Sequence, residues 1–406
     1  MTTLDSKNVL DATTIAVTGN EAVAEAMRQI DPDVVCAYPI TPQTEIVQIY
    51  AQFVADGKVD SEFVTVESEH SAMSAVIGSA AGGARTMTAT SSQGFALMWE
   101  VLYVAASYRL PIVMTTVNRA LSGPINIHCD HSDTMGGRDT GWIQLYGENH
   151  QEAYDNCLMA IRIAEHDEVH LPVMHMIDGY VISGAIGPLK MLSDAQVKSF
   201  VGPYRPVNPL LDSRHPVTVG PFDGLHGFYF EHKVAQNRAM DRALRVIQDV
   251  ADEYAELSGR HYDLLDPYRL EDADVAIVVV GSTAGTTRMV VDKLRAKGVK
   301  AGMVRVRAFR PFPHEEYARA LQHVKVVGVM DRADSFGAQG GPVFVEVRAA
   351  LYDCDPRPQV LPFIYGLGGR DIYPDNIEQA FGVLQKTARS KKRASTERRY
   401  LNLRED

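Results

Sequence analysis

Glu69 is the residue of this chain best suited to move a proton. It lies in the segment Glu67–Gly94, ESEHSAMSAVIGSAAGGARTMTATSSQG, at the mouth of a helix built almost wholly of Ala, Ser, Gly, Met, Val and Ile. Small residues at that density let a backbone or a flat ligand approach closely. Burial against apolar surface raises a carboxyl pKa toward the range of general acid–base work. The chemistry suggested is proton exchange with a flat cofactor ring, with the Gly-bearing turn Thr90–Gly94 facing the acid. The alternative is a helix N-terminal Glu answering the macrodipole. Arg119 closes a strand, where a guanidinium can clamp a carboxylate bidentately; a surface ion pair is the plainer alternative. His128, Asp130, His131 and Asp133 share one loop. They could ligate zinc or manganese, but they lie close together in sequence, and a hydrogen-bonded active-site loop is the preferred reading. Gly281-Ser282-Thr283-Ala284-Gly285 follows a strand but lacks the G-x-G-x-x-G spacing. It reads as a tight turn. A nucleophile elbow, G-x-S-x-G, is absent from the sequence.

These residues need a scaffold that gathers them. Asp33–Tyr38 reads as a buried strand that breaks at Pro39. A helix follows, with Thr41 at its N-cap and Pro42 at its first position. Strands at Glu62–Val66, Thr86–Ala89 and Pro111–Val117 alternate with the small-residue helix and a helix over Phe95–Tyr108. Such βα alternation with apolar strands implies a parallel sheet covered on both faces. Ligands on such sheets sit outside the carboxyl ends of the strands. Tyr38–Pro42, Ser91–Gly94 and Asn118-Arg119 all fall there and could share one crevice. From Gly187 to Phe230 the chain becomes rich in Pro, Gly and His, an ordered excursion. A charged helix over His232–Leu257 leads to a second α/β unit. That unit has strands at Val275–Val280, Ala301–Val306 and Val324–Met330, a stop at Arg310-Pro311-Phe312-Pro313, and a helix from Val343. The tail from Lys386 is basic and reads as a frayed or partner-binding end.

The 406 residues carry a formal net charge of −11, which argues against a nucleic-acid surface. Hydrophobic content of 46% supplies ample core, yet no apolar run is long enough to span a membrane. The first residues lack the pattern of a secretory leader. Four scattered cysteines, Cys36, Cys129, Cys157 and Cys354, give neither a disulfide framework nor a cluster motif. A reducing cytoplasm is expected.

Taken in order, the motifs resemble the alpha subunit of the 2-oxoacid:ferredoxin oxidoreductases, most closely the pyruvate type. Tyr38-Pro39-Ile40-Thr41-Pro42 matches the family's YPITP turn. Ser68-Glu69, the small-residue helix and Ser92-Gln93 match its SE…SQG block. Asn118-Arg119-Ala120 and Asp130–Asp133 through Arg138–Gly141 match its substrate strand and DHxD…RxTG loop. The resemblance implies a pyrimidine-type thiamine diphosphate domain over 1–262, a transketolase C-terminal-like α/β domain over 263–385, and the basic tail over 386–406.

Family chemistry would follow. Members decarboxylate a 2-oxoacid on thiamine diphosphate, pass electrons through iron–sulfur clusters to ferredoxin and give the acyl group to coenzyme A. Glu69 matches the glutamate that activates the aminopyrimidine. Tyr38, Pro39, Ile40, Ser92 and Gln93 match cofactor contacts, and Thr41 and Arg119 match contacts to the substrate carboxylate. The GDG motif that holds diphosphate and magnesium is absent here. The resemblance therefore implies a split site. A beta subunit would hold the diphosphate, the magnesium and the nearest cluster, and no metal or cluster would sit in this chain. Gamma- and delta-type subunits and assembly as a dimer of heteromers are expected. A flat apolar surface on the first domain should receive the partner. Gly123–Ile127 varies among relatives, so the acyl pocket stays unassigned. Pyruvate is the expected substrate; branched-chain 2-oxoacids, 2-oxoglutarate and oxalate are alternatives. A stand-alone metal-dependent hydrolase using the His128–Asp133 loop is the alternative from another class.

Overall fold

The computed structural model describes residues 14–220, 222–390 and 395–404. The segment judged to lack a secretory leader falls largely within residues 1–13, outside that range, as does part of the basic tail, residues 391–394 and 405–406. Six short strands of the first half, joined by one from the second, form a seven-stranded sheet. Its order is Ala308–Arg310, Ile143–Tyr146, Val173–Asp178, Val113–Asn118, Thr86–Thr90, Val34–Cys36, Glu62–Val64. All neighbours are parallel except Ala308–Arg310, which runs antiparallel to Ile143–Tyr146.

Successive strand side chains point to opposite faces, and the sheet uses both. On one face Val35, Met87, Val113 and Val117 pack with the helices Gly19–Ile30, His150–Glu165 and Tyr229–Ser258. On the other, Met114, Met174 and Met176 meet Met73 and Val76 of the helix Glu69–Gly82 and Leu102 of the helix Trp99–Ser107. That second core runs on into Val278, Val304 and Phe344 of the second unit, so the two sheets share it. Each fully buried large apolar side chain there contributes roughly 1.5–3 kcal/mol.

The small-residue helix is bounded as its ends dictate. Ser68 accepts a hydrogen bond from the Ser71 N–H at 3.2 Å, and Gly83 ends the helix at φ 109. The second sheet is ordered Arg399–Tyr400, Gln359–Ile364, Val326–Asp331, Val275–Val280, Ala301–Val306, Leu265–Tyr268. Only the last pair is antiparallel.

Three local expectations are corrected. Thr41 does not cap a helix: the helix runs Thr44–Ala55, with Gln43 at the N-cap position. The buried Gln43 instead accepts from the Ile40 N–H at 3.2 Å and donates to the Ala89 carbonyl at 3.0 Å, which holds Thr41–Gln43 in a turn. The helix expected over Phe95–Tyr108 starts earlier and is broken at Met98 into Ser92–Leu97 and Trp99–Ser107. The tail is not simply frayed. Pro374–Arg389 is helical, and Arg399–Tyr400 joins the edge of the second sheet beside Phe363 and Ile364.

Candidate functional site

Glu69 begins its helix and is 8% exposed. Its carboxylate has no hydrogen-bond partner among the described residues. It lies instead against Gly94. A Cβ added to Gly94 would fall 2.7 Å from Glu69 Oε1 and 2.5 Å from Thr90 Oγ1. Thr90 Oγ1 is buried and also without a partner. The acid thus packs where the strand Thr86–Thr90 ends and its turn begins. A buried carboxylate without a donor is costly unless a ligand supplies one.

The turn beyond it is anchored on all sides. Ser91 donates to the Val117 carbonyl at 2.7 Å, and Ser92 donates through its hydroxyl to the Ala120 carbonyl. Ser92 holds φ 45, a left-handed value costly for a residue with a side chain. Gln93 donates to Ser122 Oγ at 2.6 Å. These bonds join the end of the Thr86–Thr90 strand to the end of the neighbouring strand, where Arg119 stands.

Arg119 is no surface ion pair. It is 6% exposed, and no carboxylate among the described residues lies within salt-bridge distance of it. Its Nε donates to the Asn126 carbonyl at 3.1 Å and its Nη1 to the Thr41 carbonyl at 2.9 Å. Its Nη2 has no partner among the described residues. Burial pushes its pKa below the ordinary value, with Tyr180 and Asp133 opposing, yet a guanidinium stays charged. This is a desolvated cation held by neutral acceptors, with one edge open to an anion. Thr41 comes to the same place through its carbonyl, and its residue is exposed, so the hydroxyl is free of capping duty. Tyr38 and Pro39 are exposed at the preceding strand end, and Ile40 is half-buried.

The His128–Asp133 loop does not converge on a metal. His128 is exposed and packs against Tyr180 with ring centroids 5.4 Å apart and the planes tilted by 37°. Asp130 accepts from the Ser132 and Gly368 N–H groups at 3.0 and 2.9 Å. His131 pairs with Asp178 at 2.8 Å. Asp133 accepts from the Ser92 and Arg119 N–H groups at 3.1 and 3.0 Å, and from Asn118 Nδ2 and the Thr134 N–H at 2.8 Å each. The four side chains serve separate sets of partners, so the hydrolase reading loses its ligand set.

One trio, Cys129, His131 and Asp178, does bring its donor atoms within 4.8 Å of one another. Arg332 already supplies the cation there, 2.9 Å from Asp178. Burial alone would raise the pKa of Asp178; His131, Arg332 and Ser282 outweigh it and hold the carboxyl below the usual carboxylate range. Asp178 also fills the glycine turn of the second unit. Ser282 donates to it through N–H and Oγ, at 3.1 and 2.6 Å, and a Cβ on Gly281 would lie 2.6 Å from its Oδ1. A protein carboxylate thus sits where a dinucleotide phosphate would sit.

Reading the sequence missed three supports. Asp133 was grouped with metal ligands, but it is the buried acceptor that ties Ser92 to Arg119. Burial pushes its pKa up to about 6, against the pull of its four hydrogen bonds. Gln43 and Asn126 carried no signal beyond being polar residues next to turns.

Comparison with known proteins gives the chain's relatives. Residues 25–252 match the family model described as pyruvate flavodoxin/ferredoxin oxidoreductase, thiamine diP-bdg. Residues 273–377 match pyruvate:ferredoxin oxidoreductase core domain II. Pyruvate synthase subunit PorA of Thermotoga maritima is 55% identical over 391 residues, 96% of this chain and 98% of that protein. Two solved structures share the fold. One is 2-oxoglutarate:ferredoxin oxidoreductase from Magnetococcus marinus with 2-oxoglutarate, coenzyme A and succinyl-CoA bound, at TM-score 0.67 and 21% identity. The match covers 93% of this chain and 65% of that one. The other is a split gene transketolase, an inactive beta4 tetramer, at TM-score 0.52 and 13% identity over 92% of this chain and 96% of that one.

Proposed function

The chain belongs to the pyruvate:ferredoxin oxidoreductase family, as an alpha subunit of the pyruvate type, and from that premise we propose how its residues share in the reaction. The chain supplies one half of a thiamine diphosphate site: the acid that activates the cofactor and the cation that receives the 2-oxoacid. The observation that carries this reading is the buried Glu69 carboxylate, packed on Gly94 with no protein donor. Such an acid fits a ring nitrogen of an aminopyrimidine better than it fits any protein group nearby.

When bound, thiamine diphosphate supplies the electron sink for decarboxylation. Glu69 would hold the proton at a nitrogen of the bound aminopyrimidine, and Gly94 leaves space beside its carboxylate. Tyr38, Pro39, Ile40, Ser92 and Gln93 border the same strand ends and shape the cofactor side. Arg119 binds the 2-oxoacid carboxylate through its free Nη edge, and the Thr41 hydroxyl adds one hydrogen bond. Asp133 fixes the distance between the cofactor turn and the guanidinium by holding Ser92 and Arg119 together.

The diphosphate half, with magnesium and the nearest iron–sulfur cluster, belongs to a beta subunit. The missing GDG motif supports this. Leu97, Trp99 and Tyr103 stay 50%, 39% and 36% exposed on the helices just beyond Gln93, an apolar patch suited to that partner. Coenzyme A enters as co-substrate, and ferredoxin takes the electrons through gamma- and delta-type subunits. No helix of the described residues is long and apolar enough to cross a membrane, which is compatible with a cytoplasmic complex.

The test is Glu69→Gln in the assembled complex. Volume is conserved, so folding and assembly should persist. Hydrogen–deuterium exchange at the thiazolium carbon should slow by about 10²–10⁴-fold, the usual span for a lost general acid–base group. Exchange at the parental rate would reduce Glu69 to a helix-end charge.

A further inference from the structure

The carboxylate-binding guanidinium belongs to the first unit, but the loop that orients it is held by the second. Arg119 Nε donates to the backbone carbonyl of Asn126, 3.1 Å away. Asn126 lies on the exposed loop after the strand Val113–Asn118, where Leu121 and Ile125 are 37% and 76% exposed. Such a loop needs outside anchors to keep one shape. The Asn126 side chain supplies two. Its Oδ1 accepts from the His128 N–H at 2.8 Å, closing a local turn. Its Nδ2 donates to the Gly368 carbonyl at 2.9 Å, which crosses to the second unit.

The receiving segment is shaped for that contact. Gly366, Gly368 and Gly369 hold φ values of 64, 60 and 77, left-handed conformations that favour glycine. A Cβ on Gly368 would fall 2.5 Å from Asn126 Nδ2, and one on Gly369 would collide with His128. The Gly368 N–H returns a bond to Asp130 Oδ2 at 2.9 Å. One residue on, the His131 N–H donates to the Arg332 carbonyl at 2.8 Å. The loop is therefore gripped along its length by the ends of two strands of the second sheet.

We infer that Asn126 is a positioning residue for substrate capture, and that the Gly366–Gly369 turn of the second unit is its seat. This rests on the proposed role of Arg119. Arg119 has four side-chain torsions and no acid partner to fix them, so its fork would otherwise sample many directions. The Asn126 carbonyl on Nε and the Thr41 carbonyl on Nη1 leave the Nη2 edge as the one free to meet a carboxylate. Moving the loop by a few tenths of an ångström would turn that edge away. The second unit thus acts on the substrate without touching it.

The experiment uses the assembled complex and two readouts. The first is calorimetric binding of oxamate, an unreactive 2-oxoacid mimic, to complex depleted of thiamine diphosphate. The second is steady-state kinetics with pyruvate. Asn126→Ala keeps the backbone carbonyl and removes only the side-chain anchors. Gly368→Ala breaks the same contact from the other side. Each should weaken oxamate binding and raise KM by about 3–10-fold, the span of one ordinary hydrogen bond, with kcat at saturation within about twofold. The double variant should be no worse than the poorer single one. A residue that merely holds the fold together would instead lower the amount of active complex and leave KM alone. Unchanged oxamate affinity in both single variants, with affinity lost in Arg119→Ala, would overturn this inference and leave the role of Arg119 standing. Unchanged affinity in Arg119→Ala would overturn that role and the inference with it.

Discussion

Gly94→Ala tests whether the Glu69 carboxylate must sit where it does. The added Cβ would lie 2.5 Å from Thr90 Oγ1, 2.7 Å from Glu69 Oε1 and 2.8 Å from Glu69 Cγ. Ordinary contact begins at 3.4 Å. The carboxylate oxygen must therefore retreat by about 0.7 Å, the shortfall between those values. Thr90 closes a fully buried strand and has little room to yield. Glu69 can yield by rotating its side chain, so the displacement falls mainly on the acid. Gly94 has no left-handed φ, so the substitution adds no backbone strain of that kind. Overpacking of this size costs about 1–3 kcal/mol of stability, which a large shared core should tolerate. Misplacing a catalytic group by close to 1 Å costs up to about 10² in rate. The expected result in the assembled complex is intact assembly, a normal KM for pyruvate, and kcat lowered by about 10–100-fold. Exchange at the thiazolium carbon should slow in step, and adding Glu69→Gln should cost little more. A kcat within twofold of the parent, with the substitution confirmed, would refute the claim that this carboxylate position matters.

Other outcomes follow from the same geometry. Arg119→Ala should raise KM for pyruvate by roughly 10–150-fold, since hydrogen bonds to charged groups contribute about 1.5–3 kcal/mol; steady-state kinetics check this. Arg119→Lys should rescue only partly, because a point charge lacks the planar fork. Thr41→Val should raise KM by less and leave the thermal midpoint unchanged, because Thr41 caps no helix. Asp133→Asn should loosen both Ser92 and Arg119, raising KM and lowering kcat together. Its stability should also respond to pH. The folded carboxyl has its pKa raised to about 6, so its contribution to stability is full below about 4 and is lost as pH rises through 6. The denaturation gap between parent and Asp133→Asn should therefore narrow from pH 4 to pH 7.

The parts of the site legible in the sequence are those whose residue type is itself unusual in place. A single acid opening a helix of small residues marked Glu69, and an Arg ending an apolar strand marked Arg119. The apolar strands put Ser91–Gly94 and Asn118-Arg119 at carboxyl ends, and the parallel pairing of Thr86–Thr90 with Val113–Asn118 brings those two ends side by side. What stayed hidden depends on long-range partners. Asp133 stands 41 residues from Ser92 along the chain, and Asn126 stands 242 from Gly368. No local pattern reports such pairs. Asp178 was unreadable for the same reason: only the packing of the two units shows that it fills the Gly281-Ser282 turn. The tail misled because its charge resembles a solvated end, whereas its strand pairing uses backbone groups that composition does not reveal. The strand Ala308–Arg310 was hidden likewise, for it leaves the second unit to pair with the first sheet.

The central claim is that this chain holds one half of a shared site. The most direct measurement is turnover of pyruvate with a low-potential dye, thiamine diphosphate, magnesium and coenzyme A, by the purified chain alone and after titration with its partner subunits. A shared site requires no turnover and weak thiamine diphosphate binding by the chain alone, with activity rising to a plateau at a fixed subunit ratio. Turnover by the chain alone would contradict it.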